Sequence, residues 1–213
     1  MPNHVQNILT IEGEKANEIL QSLKGTDGEN EGDLIDFSKV KPMPECLENT
    51  VNPSRCPVVD KIIREEFNPE LSDDDIERKV VERLLSTKEV LDGDLKERLA
   101  LFREAGAFDW YDWRINNWGT KWNAYDTYEM SDTAVGFQTA WSTPERFIHA
   151  LSEKYPDNTF TVKYADEDIG SNCGRYVYKS GERIEDWYPE GDKATSYAKE
   201  IWAYDDYDYD EDE

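Results

Sequence analysis

Between Trp110 and Asp126 the chain reads WYDWRINNWGTKWNAYD. Four tryptophans, Trp110, Trp113, Trp118 and Trp122, fall within thirteen residues, interleaved with amides, acids and one lysine. Indole and phenol faces stack on flat ligands and attract cations. Asn116, Asn117, Asn123 and Asp126 supply polar groups that could orient what is stacked. The candidate ligand-binding residues are therefore Trp110, Asn117, Trp118, Lys121, Trp122, Tyr125 and Asp126, and a small molecule or nucleotide is the ligand class. The same residues carry a second reading. They could close a core where a helical segment meets a sheet, with Gly119 at positive φ and Lys121 laid over a ring.

Catalytic candidates are few. Nucleophilic and general acid–base chemistry need a His, Cys, Lys or carboxylate pair held in a cleft. Of the two histidines, His4 stands at a strand entrance and His149 on a helix, and neither sits in a recognisable triad. The three cysteines, Cys46, Cys56 and Cys173, lack any Cys-x-x-Cys spacing, a usage that fits a reducing compartment. Neither of the common glycine-rich phosphate cradles is present. Asp73-Asp74-Asp75 and Asp166-Glu167-Asp168 offer hard oxygens, yet neither follows the calcium-loop pattern. We expect no catalytic residues, no metal site and no cofactor, and lean towards a protein that is not an enzyme.

Charge is the strongest compositional signal. The 213 residues hold 48 acids against 24 bases, a formal charge of −24. A field of that sign repels phosphate backbones and anionic lipid, so direct nucleic-acid or membrane binding is not expected. Rows of carboxylates can imitate the phosphate spacing of a nucleic-acid strand; they also keep proteins soluble. No apolar run approaches a membrane span and no signal peptide is evident, so the expected location is cytoplasmic.

The elements that must position these residues follow from periodicity. His4 to Glu12 alternates as a strand buried mainly on one face, Ala16 to Leu23 has helical spacing, and Leu34 to Val40 alternates as a second strand. From Val58 to Ala107 the pattern is helical, with Ser72 or a neighbouring Asp as a cap and a further helix over Asp94 to Glu104. A short helix over Asp109 to Asn117 leads into Trp118. Strand signals return at Thr133 to Trp141, followed by a helix capped by Thr143, a strand at Thr159 to Ala165, a hairpin turning at Ser180-Gly181, and a last helix over Lys193 to Trp202. The order β-α-β, helices, β-α-β predicts an α+β fold: a ferredoxin-like split β-α-β antiparallel sheet with helices on one face and a helical insertion between the two halves. One domain spans 1–203 with its insertion at about 58–107. Residues 204–213 hold seven acids and no base, which predicts a disordered acidic tail.

Several blocks, in order, resemble a known family. MPNHV.N.LTI, DFSKVKPMPE, NNWGTKWNAYD and F.TAWSTPERFI..LS..YP...F.V.YADE are similar to the YubB ferredoxin-like family of phage- and plasmid-borne proteins. They cover roughly residues 1–49 and 108–190. The resemblance implies the fold and a mobile-element origin, and brings no catalytic residues with it.

Two functions are therefore expected. The first is a non-enzymatic interaction protein that binds a basic host or element-encoded protein through an acidic surface, as a nucleic-acid mimic or an inhibitor of host defence, in the host cytoplasm if phage-encoded. The second is a small-molecule or nucleotide-binding enzyme with an aromatic pocket around residues 110–126.

Overall fold

A computed structural model describes residues 3–26, 30–52, 55–87 and 91–203; the acidic tail 204–213 lies outside them. The chain divides into two compact units, one of residues 1–42 with 117–213 and one of residues 43–116.

The first unit is a six-stranded sheet. Its strands are β1 (His4–Glu12), β2 (Tyr125–Ser131), β3 (Ala134–Ala140), β4 (Thr159–Asp166), β5 (Cys173–Lys179) and β6 (Glu182–Trp187). They lie in the order β2-β3-β1-β4-β5-β6 with every neighbouring pair antiparallel. Helices α1 (Ala16–Ser22), α6 (Glu145–Lys154) and α7 (Asp192–Trp202) complete it. β1-α1-β2-β3-α6-β4 with order β2-β3-β1-β4 is the ferredoxin-like arrangement, and β5 and β6 extend it beyond β4.

Three expectations need correction. Leu34 to Val40 is not a strand: Asp36 Oδ1 accepts the Ser38 N–H at 2.9 Å and initiates a 3₁₀ turn over Phe37–Lys39. Short polar side chains that bond the nearby backbone compete with sheet pairing, and here the side chain wins. The second strand of the fold is instead Tyr125–Ser131, so the helical segment falls between α1 and β2. The helices also cover both faces. Phe137, paired with Asn7, meets α6 through the tilted Phe37–Phe147 ring pair, whereas Ile8 on the opposite face packs with Ala165, Cys173, Ala194 and Ile201 around α7. Both faces of β1 are thus occupied, and its apolar residues stand on each. Thirdly, Thr143 does not cap α6. Its hydroxyl is bonded to the Tyr176 hydroxyl at 2.9 Å, and Pro144 takes the cap position without a side-chain bond.

The hairpin turn at Ser180-Gly181 forms as expected, with φ of 52° and 77°. Successive positive φ values match the twist of the flanking strands.

The second unit is helical: α2 (Pro57–Glu66), α3 (Asp73–Thr87), α4 (Leu95–Ala105) and most of α5 (Trp110–Asn117). Ser72 caps α3 through the Asp75 N–H at 3.2 Å while its hydroxyl donates to Asp75. Asp94 caps α4 through Lys96 and Glu97. Ile62, Ile63, Ile76, Val80, Leu84, Leu99 and Phe108 form the core. Within it, Arg98 grips both oxygens of Asp60 at 2.7 and 2.6 Å and lies over the Phe108 ring. No described helix is long and apolar enough to cross a membrane.

Candidate functional site

In the sheet unit, the stretch from Asn117 to Asp126 links α5 to β2 and staples three elements. The Trp118 carbonyl accepts the Phe147 N–H at 3.2 Å, filling one of the open donors of the first α6 turn. Gly119, at φ 86°, lets the backbone approach that turn: a Cβ there would lie 3.2 Å from the amide nitrogens of Glu145 and Arg146. Thr120 donates to the Ala140 carbonyl at 2.8 Å, and Ser142 donates to the Gly119 carbonyl at 2.7 Å. These bonds fix the loop against the end of β3.

The candidate residues separate within this frame. Trp118 is 2% exposed, edge-on to Phe37, and its indole N–H donates to the Lys41 carbonyl at 2.9 Å. It is a core residue. Asn123 is equally committed: its oxygen accepts from the Phe37 and Ala124 N–H groups and its nitrogen donates to Asp36. Trp110 belongs to the helical unit, under Arg114 and edge-on to Tyr111. Asn117 is half-buried, and Asp126 is exposed at φ 48°, where the β2–β3 register slips.

Lys121, Trp122 and Tyr125 come together. The Lys121 ammonium lies 4.7 Å from the Trp122 ring centre and 4.8 Å from that of Trp141. Trp122 is edge-on to Tyr125, whose hydroxyl is bonded to His4 Nδ1 at 2.8 Å. Burial, followed by the charges of Asp126 and Glu167, pushes the Tyr125 phenol up to about 12. It therefore stays protonated at neutral pH and can act as a hydrogen-bond partner, not as a phenolate.

Trp141 was not singled out by the sequence. It stands alone nineteen residues after Trp122, where it reads as the last residue of a strand. It is 44% exposed at φ 70°, its N–H donates to the Asn3 carbonyl and its carbonyl accepts from Asn172. Asp166 anchors the same corner, accepting from Asn3, Asn172 and the Asp168 N–H. Its carboxylate is thus engaged by amides. Among the described residues no group of three or more His, Cys, Asp or Glu is placed to hold a metal.

In the helical unit, Cys46, Cys56, Glu97, Arg98 and Glu104 line an open cleft of about 610 Å³. Burial raises both thiols, so neither is an activated thiolate. In the sheet unit, His149 on α6 lies 3.5 Å from Glu153 of the same helix and edge-on to Tyr178.

Residues 117–210 match a family model described as a ferredoxin-like domain in Api92-like protein. No curated protein matches the chain. Among solved structures, the crystal structure of a protein api92 from Yersinia pseudotuberculosis is similar at 9% identity. The alignment covers 90% of this chain and 99% of that one, with a TM-score of 0.45, a likeness too distant to carry residue roles across.

Proposed function

We propose that this protein is a non-enzymatic interaction protein of a phage or other mobile element, which binds a basic host or element-encoded protein through its acidic surface. The observation that carries this reading is where the charge lies. Among the described residues the buried carboxylates are Asp36, Asp60, Asp109 and Asp166, so every other described acid is at least partly exposed. Seven arginines are ion-paired within the chain, and the net charge of −24 remains after all such pairs are counted. A surface of this kind suits mimicry of nucleic acid towards a host enzyme. The resemblance to the YubB family and its phage and plasmid setting supports the mobile-element part of the reading, with the host cytoplasm as the location. Affinity capture from host lysate at low and high salt tests it. Retention of a basic protein that is lost as salt rises is the expected result; no partner, or retention indifferent to salt, would reject it.

A second reading, a small-molecule or nucleotide-binding enzyme, is favoured by the Lys121–Trp122–Tyr125 grouping with His4 beside it. Tryptophan fluorescence titrated with nucleotides, sugars and amines checks it, and silence across all three excludes it.

A further inference from the structure

We propose that Trp122 and Trp141 form a receptor for an alkylammonium group, and that Lys121 occupies this receptor in the free protein. The inference stands apart from the partner reading above, because a small probe tests it.

The first observation is the placement of a cation between two indoles, at 4.7 and 4.8 Å from their ring centres. Both distances lie inside the range of about 6 Å in which a ring quadrupole attracts a cation. A lysine ammonium is itself an alkylammonium, so the chain displays the ligand chemistry on its own side chain.

The second observation is the backbone of Trp141. A bulky residue at φ 70° is strained by roughly 1–3 kcal/mol, and such strain persists only where surrounding bonds over-determine it. Here the Asn3 carbonyl and the Asn172 amide hold both sides of the residue, with Asp166 behind them. The residue is 44% exposed, and in this conformation its ring meets the Lys121 ammonium.

The two walls are held and the occupant is not. Trp122 rests on Tyr125, which is bonded to His4, while Lys121 reaches the rings through a flexible four-carbon stem. Exposed Asp126 adds negative charge two residues from Ala124 at the mouth of β2, and the net charge of the chain concentrates cations near its surface. A ligand that offers a better-placed or less hydrated ammonium displaces Lys121.

The test follows the indole N–H signals of Trp122 and Trp141 by NMR during titration of the full chain with tetramethylammonium chloride. Neutral tert-butanol, of similar shape, is the control, and a short lysine peptide is a second probe. Saturable shifts of both signals with tetramethylammonium and none with tert-butanol are expected. Lys121→Ala should tighten binding by roughly three- to tenfold, the worth of the contact it removes. Trp141→Ala should abolish saturation, and Trp141→Phe should restore part of it, which separates loss of a ring face from loss of fold. Saturation by the lysine peptide assigns the group to a protein side chain; saturation by tetramethylammonium alone assigns it to a free small cation. Equal shifts with tert-butanol, or no gain on removing Lys121, would overturn the proposal and leave Lys121 as a lysine resting on two rings.

Discussion

Tyr128 fills the space above Gly136. A Cβ on Gly136 would lie 2.1 Å from the Tyr128 ring carbon that bears the hydroxyl, and that hydroxyl accepts from Gln6 at 3.0 Å. A residue on edge strand β2 thereby reaches across β3 to central strand β1 over a position that carries no side chain. Gly136→Ala should displace the ring and destabilise the protein by about 1–3 kcal/mol, the usual cost of overpacking. The double variant with Tyr128→Ala should be no less stable than Tyr128→Ala alone, since the clash is gone. Urea unfolding of the four proteins in the cycle measures this, and additive losses would show that the ring and the glycine are not coupled.

The buried and half-buried tryptophans of the 117–126 loop should respond differently to truncation. Trp118→Ala removes a core indole bonded to Lys41 and should cost roughly 3–5 kcal/mol. Trp122→Ala, at a half-buried ring, should cost less than half as much. Unfolding midpoints followed by far-ultraviolet circular dichroism decide it; a Trp118→Ala midpoint equal to the parent would remove Trp118 from the core.

Alkaline titration should reveal a late class of tyrosines. Burial holds Tyr125 and Tyr164 up to about 12 and raises Tyr176 and Tyr197 as well. An unfolded chain releases its phenolic protons near about 10, so between about pH 10 and 12 the folded state binds more protons. Stability must then fall as pH rises through that window. Tyrosinate absorbance should climb in two phases, the later one diminished by Tyr125→Phe. A single phase near 10 with the fold intact would contradict the burial.

What the sequence revealed depended on whether burial imposed a pattern. β1, β3 and β4 were legible because they bury alternate or continuous apolar residues, and the β5–β6 turn because Ser180-Gly181 is a turn dipeptide. β2 was not. YDTYEMS lies at the sheet edge, is mostly exposed and slips in register near Asp126, so no alternation marks it, while LIDFSKV alternates but is diverted by the Asp36 side chain. At the site, aromatic density pointed to Lys121, Trp122 and Tyr125. It could not separate them from Trp118 and Asn123, whose polar atoms turn inward to backbone partners distant in sequence. Trp141 was missed because its part depends on a φ value that no local pattern predicts.

The central position of β1 has a consequence for biosynthesis. Both of its neighbours come late: His4 pairs with Ala140, and Glu12 with Thr159. At ~5–20 residues per second, a ribosome needs roughly 6–25 s to travel from the end of β1 to the end of β3. During that interval residues 43–116 are completed and their helical core can collapse, while a strand with apolar residues on both faces waits without a sheet. Assembly order therefore runs against chain order: the first strand made is held unpaired until long after the helical segment is complete.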